Sequence, residues 1–369
     1  MKVPVAPEAF TSSLFARVLA GAHHNEPGVE GDWGMIAPIT TRRRAVDALE
    51  AAGARAGMAR RHYSPESSGR ALAEIAAHAE GLARTSELLA DDESRDLLLD
   101  ILATRVLGDH HASLPVTQRN FRDAVQRIDA DWREAEDVAR SQYDMPLHRY
   151  RVAARGGEIR LLGVAFMVHE FFGEEQYAFE RAGVRLRAGD GDVVVDGGGG
   201  WGETALYFAD LVGPSGRVLG FEFSPQNLGI FERNMELNPR LRDRVEIVPH
   251  PVWDAVGEPL RFDDAGGQTS VAGNGGGQEV LTETIDHVAE GGRVDFIKLD
   301  VEGAEMAALR GAEQTIRAHR PTLALSIYHS IGDFVDIPAW VDGLGLGYRL
   351  YLDHRWPGPA ETILFAQPA

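Results

Sequence analysis

The apolar positions change rhythm part-way along the chain. Up to about residue 150 they recur at steps of three and four, the spacing of a helix with one face on a core. The stretch 7–22 carries Phe10, Leu14, Phe15, Val18 and Leu19 on one side, and 23–28 breaks it with Pro27 and Gly28. Thr40 or Thr41 is placed to cap a helix over 42–60. Ser64-Pro65-Glu66 restarts the pattern with Leu72, Ile75, Ala79 and Leu82, and Leu97, Leu98, Ile101, Leu102, Val106 and Leu107 form a further apolar face. A last helix is predicted from Thr117 to about Tyr143, with Phe121, Val125, Ile128 and Trp132 in register. Residues 1–150 therefore read as an all-helical auxiliary domain, serving as a cover, a substrate-gripping cap or an oligomerisation surface.

Past Pro146 the pattern becomes one of short runs. Gly156-Gly157 divides two strand candidates, Tyr150 to Ala154 and Glu158 to Gly163. An aromatic stretch follows (Phe166, Phe171, Phe172, Tyr177, Phe179), suited either to wall a ligand pocket or to pack on a sheet edge. From Val184 strand and helix alternate. Strands are predicted at 184–186, 190–196, 216–222, 245–248, 295–300 and 322–328, with helices from Ser224-Pro225 through Asn238, after Glu305 through His319, and over 338–344. The final runs, 348–352 and 362–366, lie too close for a helical crossover and must form an antiparallel hairpin. The glycine-rich stretches 266–267 and 273–277 read as a flexible connection. The second domain is thus 151–369.

Its organising stretch is Asp192-Val-Val-Val-Asp-Gly-Gly-Gly-Gly-Trp-Gly202. A β-branched strand runs straight into glycines and then into a helix at Glu203, the arrangement of a nucleotide-type site at the carboxyl end of a sheet strand. Gly197, Gly199 and Gly202 satisfy the dinucleotide pattern G-x-G-x-x-G, with Glu222 twenty residues on as a ribose-binding acid. Gly198, Gly200 and Gly202 equally satisfy the G-x-G-x-G of S-adenosylmethionine enzymes. Glu222 serves either ligand. The terminal antiparallel hairpin departs from the paired halves of a dinucleotide fold, and Asp196 beside the glycines suits a cationic methionine portion better than a pyrophosphate. The balance favours methyl transfer.

Composition narrows the partners. A formal net charge of −19 offers no basic excess for a nucleic-acid backbone. There is no cysteine, so thiolate catalysis and Cys-ligated zinc are excluded. No uncharged apolar run approaches the length of a spanning helix, and the start of the chain lacks the apolar core of a signal peptide. The expectation is a cytoplasmic protein with no membrane partner. His23-His24 and His110-His111 lack carboxylates at ligand spacing and read as loop and helix-end histidines.

Four stretches together resemble the FkbM family of S-adenosylmethionine-dependent methyltransferases: Asp192 to Ala205, Gly220-Phe-Glu-Phe-Ser-Pro225, Asp295-Phe-Ile-Lys-Leu-Asp-Val-Glu-Gly-Ala-Glu305 and Leu325-Ser-Ile-Tyr-His-Ser330. The resemblance spans about 158–369. It implies an α/β fold with a Rossmann-like seven-stranded sheet ending in the antiparallel hairpin. It also implies S-adenosylmethionine as cofactor and an alcohol on a sugar, macrolide or related metabolite as acceptor. Cofactor contacts are then expected from Asp196, Gly197, Gly198, Gly199, Gly200, Trp201, Gly202, Glu222, Phe223 and Ser224. One departure is the loop, where glycines and Trp201 replace the family's Ala, Asn and apolar residue. Asp300, Glu302 and His329, at the carboxyl ends of two strands, are the candidate catalytic residues, with Lys298 an orienter. Asp300 and His329 suit a proton-accepting pair or ligands to a divalent cation such as Mg²⁺. An oxidoreductase using NAD(P) and a non-catalytic S-adenosylmethionine-binding protein are the alternatives.

Overall fold

The computed structural model describes residues 7–22, 65–108, 114–141, 146–262 and 278–369. The helix expected over 42–60, both histidine pairs and the glycine-rich connection at 266–277 lie outside the described residues. The first helices are α1 (Pro7–Ala22), α2 (Pro65–Ala77), α3 (Ala79–Leu88), α4 (Asp92–Leu107) and α5 (Gln118–Trp132). Asp91 and Thr117 cap α4 and α5 by accepting from Ser94 N and Asn120 N.

The chain leaves helix earlier than the spacing predicts. α5 stops at Trp132, and β1 (Arg133–Arg140) follows directly, pairing antiparallel with β2 (Pro146–Ala154), which pairs in turn with β3 (Gly157–Gly163). Ala135, Val138 and Ala139 keep helical spacing through this stretch, but only one of them is larger than alanine, and pairing with a neighbouring strand decides their state. The all-helical segment thus ends near 132, and position 150 falls inside β2.

The remaining strands are β4 (Phe179–Arg181), β5 (Val184–Leu186), β6 (Val193–Gly197), β7 (Arg217–Phe221), β8 (Val245–Val248), β9 (Pro259–Phe262), β10 (Gln278–Leu281), β11 (Phe296–Leu299), β12 (Thr322–Ser326), β13 (Arg349–His354) and β14 (Thr362–Gln367). Between them run α6 (Glu203–Leu211), α7 (Pro225–Glu236), α8 (Glu305–Arg310), α9 (Glu313–His319) and α10 (Asp333–Gly343). The single helix expected to end at His319 is therefore two, broken at Gly311-Ala312. Seven strands form one sheet in the order β13-β14-β12-β11-β6-β7-β8. All neighbours are parallel except β14, which runs antiparallel to both β12 and β13, as the hairpin argument requires.

Both faces of the sheet are covered, which is why its central strands are almost uninterrupted apolar residues. Val195, Leu219, Ile297 and Leu323 point one way, Val194, Val218, Phe296 and Ala324 the other. The described N-terminal helices belong to the first of these cores: Phe10, Leu14, Leu98 and Ile101 share it with Leu350 and Leu352. They close the β13 edge through backbone as well as side chains. Ala90 N donates to Leu350 O at 2.7 Å, Leu352 N to Ser94 Oγ at 2.9 Å, and Thr85 Oγ1 to Phe334 O at 2.7 Å. On the other face, β3 is tied to α7 by two asparagines. Leu162 N donates to Asn234 Oδ1 at 2.6 Å and Arg160 N to Asn238 Oδ1 at 2.9 Å, while the amides of the same side chains donate to Leu162 O and Arg160 O. No helix among the described residues is long and apolar enough to cross a membrane.

Candidate active site

The carboxyl ends of β6, β7, β11 and β12 meet at a cavity of about 340 Å³. Its floor is the glycine loop. Gly198 holds φ +82°, and a Cβ there would stand 1.9 Å from the carbonyl oxygen of Asp300, so only glycine lets β6 and β11 end this close together. Gly202 at φ +86° precedes α6 and lies flat on the Phe231 ring, 2.5 Å from a notional Cβ. Beneath the loop, Lys298 and Asp196 occupy paired positions on β11 and β6, both sealed from solvent, at 1 and 0% exposure. Lys298 Nζ lies 3.1 Å from Asp196 Oδ1 and donates to the carbonyls of Gly197 at 3.0 Å and Gly198 at 2.6 Å. Thr204 Oγ1 donates to Asp196 Oδ2 at 2.6 Å. Asp196, expected against the cofactor, is instead spent on its neighbours and does not line the cavity.

At the end of β7, Glu222 accepts from Phe223 N at 2.7 Å and Ser224 N at 2.8 Å on one oxygen, and from Asn227 Nδ2 at 3.1 Å on the other. Burial raises its pKa, against the pull of these hydrogen bonds. Trp201 is buried and donates from Nε1 to Asn227 Oδ1 at 3.0 Å, linking the loop to the acid. Phe223 meets Phe262 edge-on at 5.0 Å between ring centres, and with Val252 gives this end an apolar wall. Ser224 caps α7 rather than facing the cavity.

The opposite end is acidic. Asp300 accepts from Tyr177 OH at 3.0 Å on one oxygen and from Tyr328 OH at 3.2 Å on the other. Glu170, Glu203, Glu302 and Glu361 line the same space. Burial drives these carboxyls upward, and repulsion adds to it, from Asp300 and Glu302 on Glu361 and from Asp196 on Glu203: Glu361 reaches about 7 and Glu203 about 8, while Glu170 is raised well above the usual range. Glu302 and Glu361 also sit in left-handed backbone, at φ +55° and +61°. Such strain in residues with a side chain concentrates at functional sites.

His329 lies behind Asp300 and does not line the cavity. Its ring nitrogens face three carboxylates: Glu305 at 3.2 Å, Glu302 at 3.5 Å and Asp300 at 3.8 Å. Burial opposes its protonation, but Glu302 and Glu305 outweigh that and raise it to about 11. It is an imidazolium at neutral pH, which removes it as a proton acceptor there. One ligand atom each from Asp300, Glu305 and His329 lies within 4.8 Å of the others, the one such grouping among the described residues.

Of the residues expected at the site, Gly198, Gly199, Gly200, Trp201, Glu222, Phe223, Lys298, Asp300 and Glu302 line the cavity, and Asp196, Gly197, Gly202, Ser224 and His329 support it from behind. Asn227, Glu170, Glu203 and Glu361 join them without having been singled out for the site. Of the aromatic stretch, Phe166, Phe171 and Tyr177 do wall the cavity, whereas Phe179 packs on Tyr351 and Phe365 in the core. His354 is buried at the hairpin against Thr362 Oγ1 at 3.0 Å, away from the cavity lining, and desolvation lowers its pKa to about 4.

Known proteins of like sequence and shape agree with this architecture. Residues 186–350 match the family model described as the methyltransferase FkbM domain. A curated relative, "Methyltransferase 1" of Beauveria bassiana (strain ARSEF 2860), is 25% identical over 181 residues, covering 42% of this chain and 72% of the relative. Among solved structures, a methyltransferase FkbM from Methylobacillus flagellatus KT superposes with a TM-score of 0.53 at 19% identity. That match covers 80% of this chain, which spans 60% of the other's length, and it speaks for the fold.

Proposed function

We propose that this chain, whose residues 186–350 match the methyltransferase FkbM domain, uses S-adenosylmethionine to methylate a hydroxyl of a small molecule. The observation that carries this reading is one cavity with an acceptor-only carboxylate at its Glu222 end and basic carboxylates at the other. The cavity fits the cofactor. Glu222 is placed to accept from both ribose hydroxyls, Phe223, Val252 and Phe262 offer an apolar slot for a flat ring, and the loop from Gly198 to Trp201 leaves backbone for the rest. Bound there, S-adenosylmethionine would supply an activated methyl group to the acceptor oxygen, with S-adenosylhomocysteine as the leaving group.

The chain's own contribution is alignment, exclusion of water and removal of the hydroxyl proton. Lys298 and Asp196 hold the loop in place. Asp300 and Glu361 receive the proton: Glu361, at about 7, is the carboxyl tuned nearest to neutrality. Tyr177 and Tyr328 fix the carboxylate of Asp300 from both sides.

The convergence of Asp300, Glu305 and His329 favours a second reading of proton removal, in which these residues hold a divalent cation once His329 gives up its proton. The ring nitrogens of His329 have ion-pair partners but no aligned hydrogen bond, which suits them as ligands. A cation there would acidify the hydroxyl.

Calorimetric titration with S-adenosylhomocysteine, with NADH in parallel, tests the core of the reading. Binding of the former alone supports it; binding of NADH alone overturns it in favour of an oxidoreductase. Transfer of a labelled methyl group to hydroxyl compounds, before and after dialysis against EDTA with Mg²⁺ restored, then separates the two modes of proton removal.

A further inference from the structure

The methyl acceptor is bound through a positive charge: we propose that it carries a protonated amine beside the hydroxyl to be methylated, and that Glu170 anchors this amine. The inference rests on the methyltransferase reading above.

Glu170 sits in a π-helical turn, His169–Gly173, of the kind that often marks a functional site. It is 8% exposed and lines the cavity, yet its carboxylate has neither a hydrogen bond nor an ion pair among the described residues. Burying an unpaired carboxylate is costly unless a partner arrives. Its charged neighbours make the position worse, because they are Glu361, Asp300 and Glu203.

The charge balance of the cavity points the same way. Glu170, Glu203, Glu222, Asp300, Glu302 and Glu361 line it, against two cations, Lys298 and Arg261. Lys298 is already matched by Asp196, and Arg261 is exposed and pairs with Glu279 at 3.7 Å. The cofactor brings a sulfonium and an ammonium but also its own carboxylate, one net positive charge. An excess of carboxylates remains at the acceptor end. A neutral polyol would accept and donate hydrogen bonds there and leave the repulsion in place; an ammonium removes it. Phe171 and Tyr177, nearly parallel with ring centres 6.1 Å apart, add aromatic faces that a cation favours. Held by a carboxylate, the amine keeps its proton and has no lone pair for attack. The methyl group therefore goes to the hydroxyl.

The test compares two probes of one shape in calorimetric titrations of the protein saturated with S-adenosylhomocysteine: trans-2-aminocyclohexanol, protonated at neutral pH, and trans-1,2-cyclohexanediol. The expected result is binding of the amine at least about tenfold tighter than the diol, with that preference lost in Glu170→Gln. The variant should melt close to the wild type, since an amide of the same shape replaces a carboxyl that has no hydrogen-bond partner to lose, and this certifies its fold. Equal binding of the two probes, no binding of the amine, or an unchanged preference in Glu170→Gln overturns the proposal. So does a folded Glu170→Gln protein that loses S-adenosylhomocysteine affinity while keeping its preference for the amine, which would assign Glu170 to the cofactor's ammonium. If S-adenosylhomocysteine fails to bind the wild type, the methyltransferase reading falls; the same probe pair on the free protein still decides whether the cavity selects an amine.

Discussion

Lys298 and Asp196 face each other across neighbouring parallel strands, 3.1 Å apart and closed off from water, and the same ammonium holds the carbonyls of Gly197 and Gly198. The pair is therefore a fastening for the glycine loop. Lys298→Met leaves Asp196 as a buried charge without its cation and should cost about 3–5 kcal/mol in chemical denaturation. Adding Asp196→Asn should restore much of that stability. It should not restore S-adenosylhomocysteine affinity, because the two carbonyls remain unheld. Equal recovery of both would show that Lys298 does nothing for the loop.

Glu222→Ala removes the acceptor for the ribose hydroxyls and also releases Phe223 N, Ser224 N and Asn227. S-adenosylhomocysteine affinity should fall by about tenfold to a hundredfold, the range expected for hydrogen bonds to a charged group. Calorimetric titration measures it, and an affinity within a factor of about two of the wild type would place the ribose elsewhere.

Proton removal by Glu361 predicts an acidic limb in kcat/KM centred near its raised value of about 7, with rates climbing as pH rises through it. Glu361→Gln should flatten that limb as well as lower the rate. The linkage to stability has the opposite sign. A carboxyl raised above its ordinary 4.5 favours folding below that value, and the contribution is lost as pH climbs through about 7. Glu361→Gln should thus gain Tm relative to the wild type on going from acidic to slightly alkaline buffer.

His329 is raised from 6.5 to about 11, so its contribution to stability is complete below 6.5 and disappears as pH rises through about 11. His329→Gln leaves Glu302, Glu305 and Asp300 facing one another and should cost about 1–3 kcal/mol at neutral pH. Thermal melts taken across the alkaline range should show the gap between variant and wild type closing. A gap that is constant with pH would mean the imidazole is neutral in the fold.

Much of one wall of this site was legible in the chain and little of the other. The loop, Glu222 and Asp300 stand where apolar strands end, and such ends are visible as short, mostly apolar runs stopping at glycine or acid. Glu361 gives no such signal. In sequence it is a charged residue in a turn of glycine and proline, and it reaches Asp300 because β14 inserts between β13 and β12. Glu170 is hidden for a related reason: its stretch has helical residues, but the π-turn that aims it comes from packing against Phe121 and Tyr207. Asp196 shows the converse error. Its position beside the glycines was plain, and only the register with Lys298 reveals which way its charge is used. β1 eluded the pattern because its state depends on a partner strand, not on its own spacing.

The asparagines of α7 have an effect beyond joining two elements. β3 is the outer strand of its three-stranded sheet, and the outward backbone groups of Arg160 and Leu162 are the ones that Asn238 and Asn234 occupy. Two side chains thus fill the place of a further strand. An open edge of this kind is where chains of many β proteins stick to one another. Here that row of donors and acceptors is already taken, so Asn234→Leu or Asn238→Leu would expose the protein to self-association before it disturbed the chemistry of the cavity.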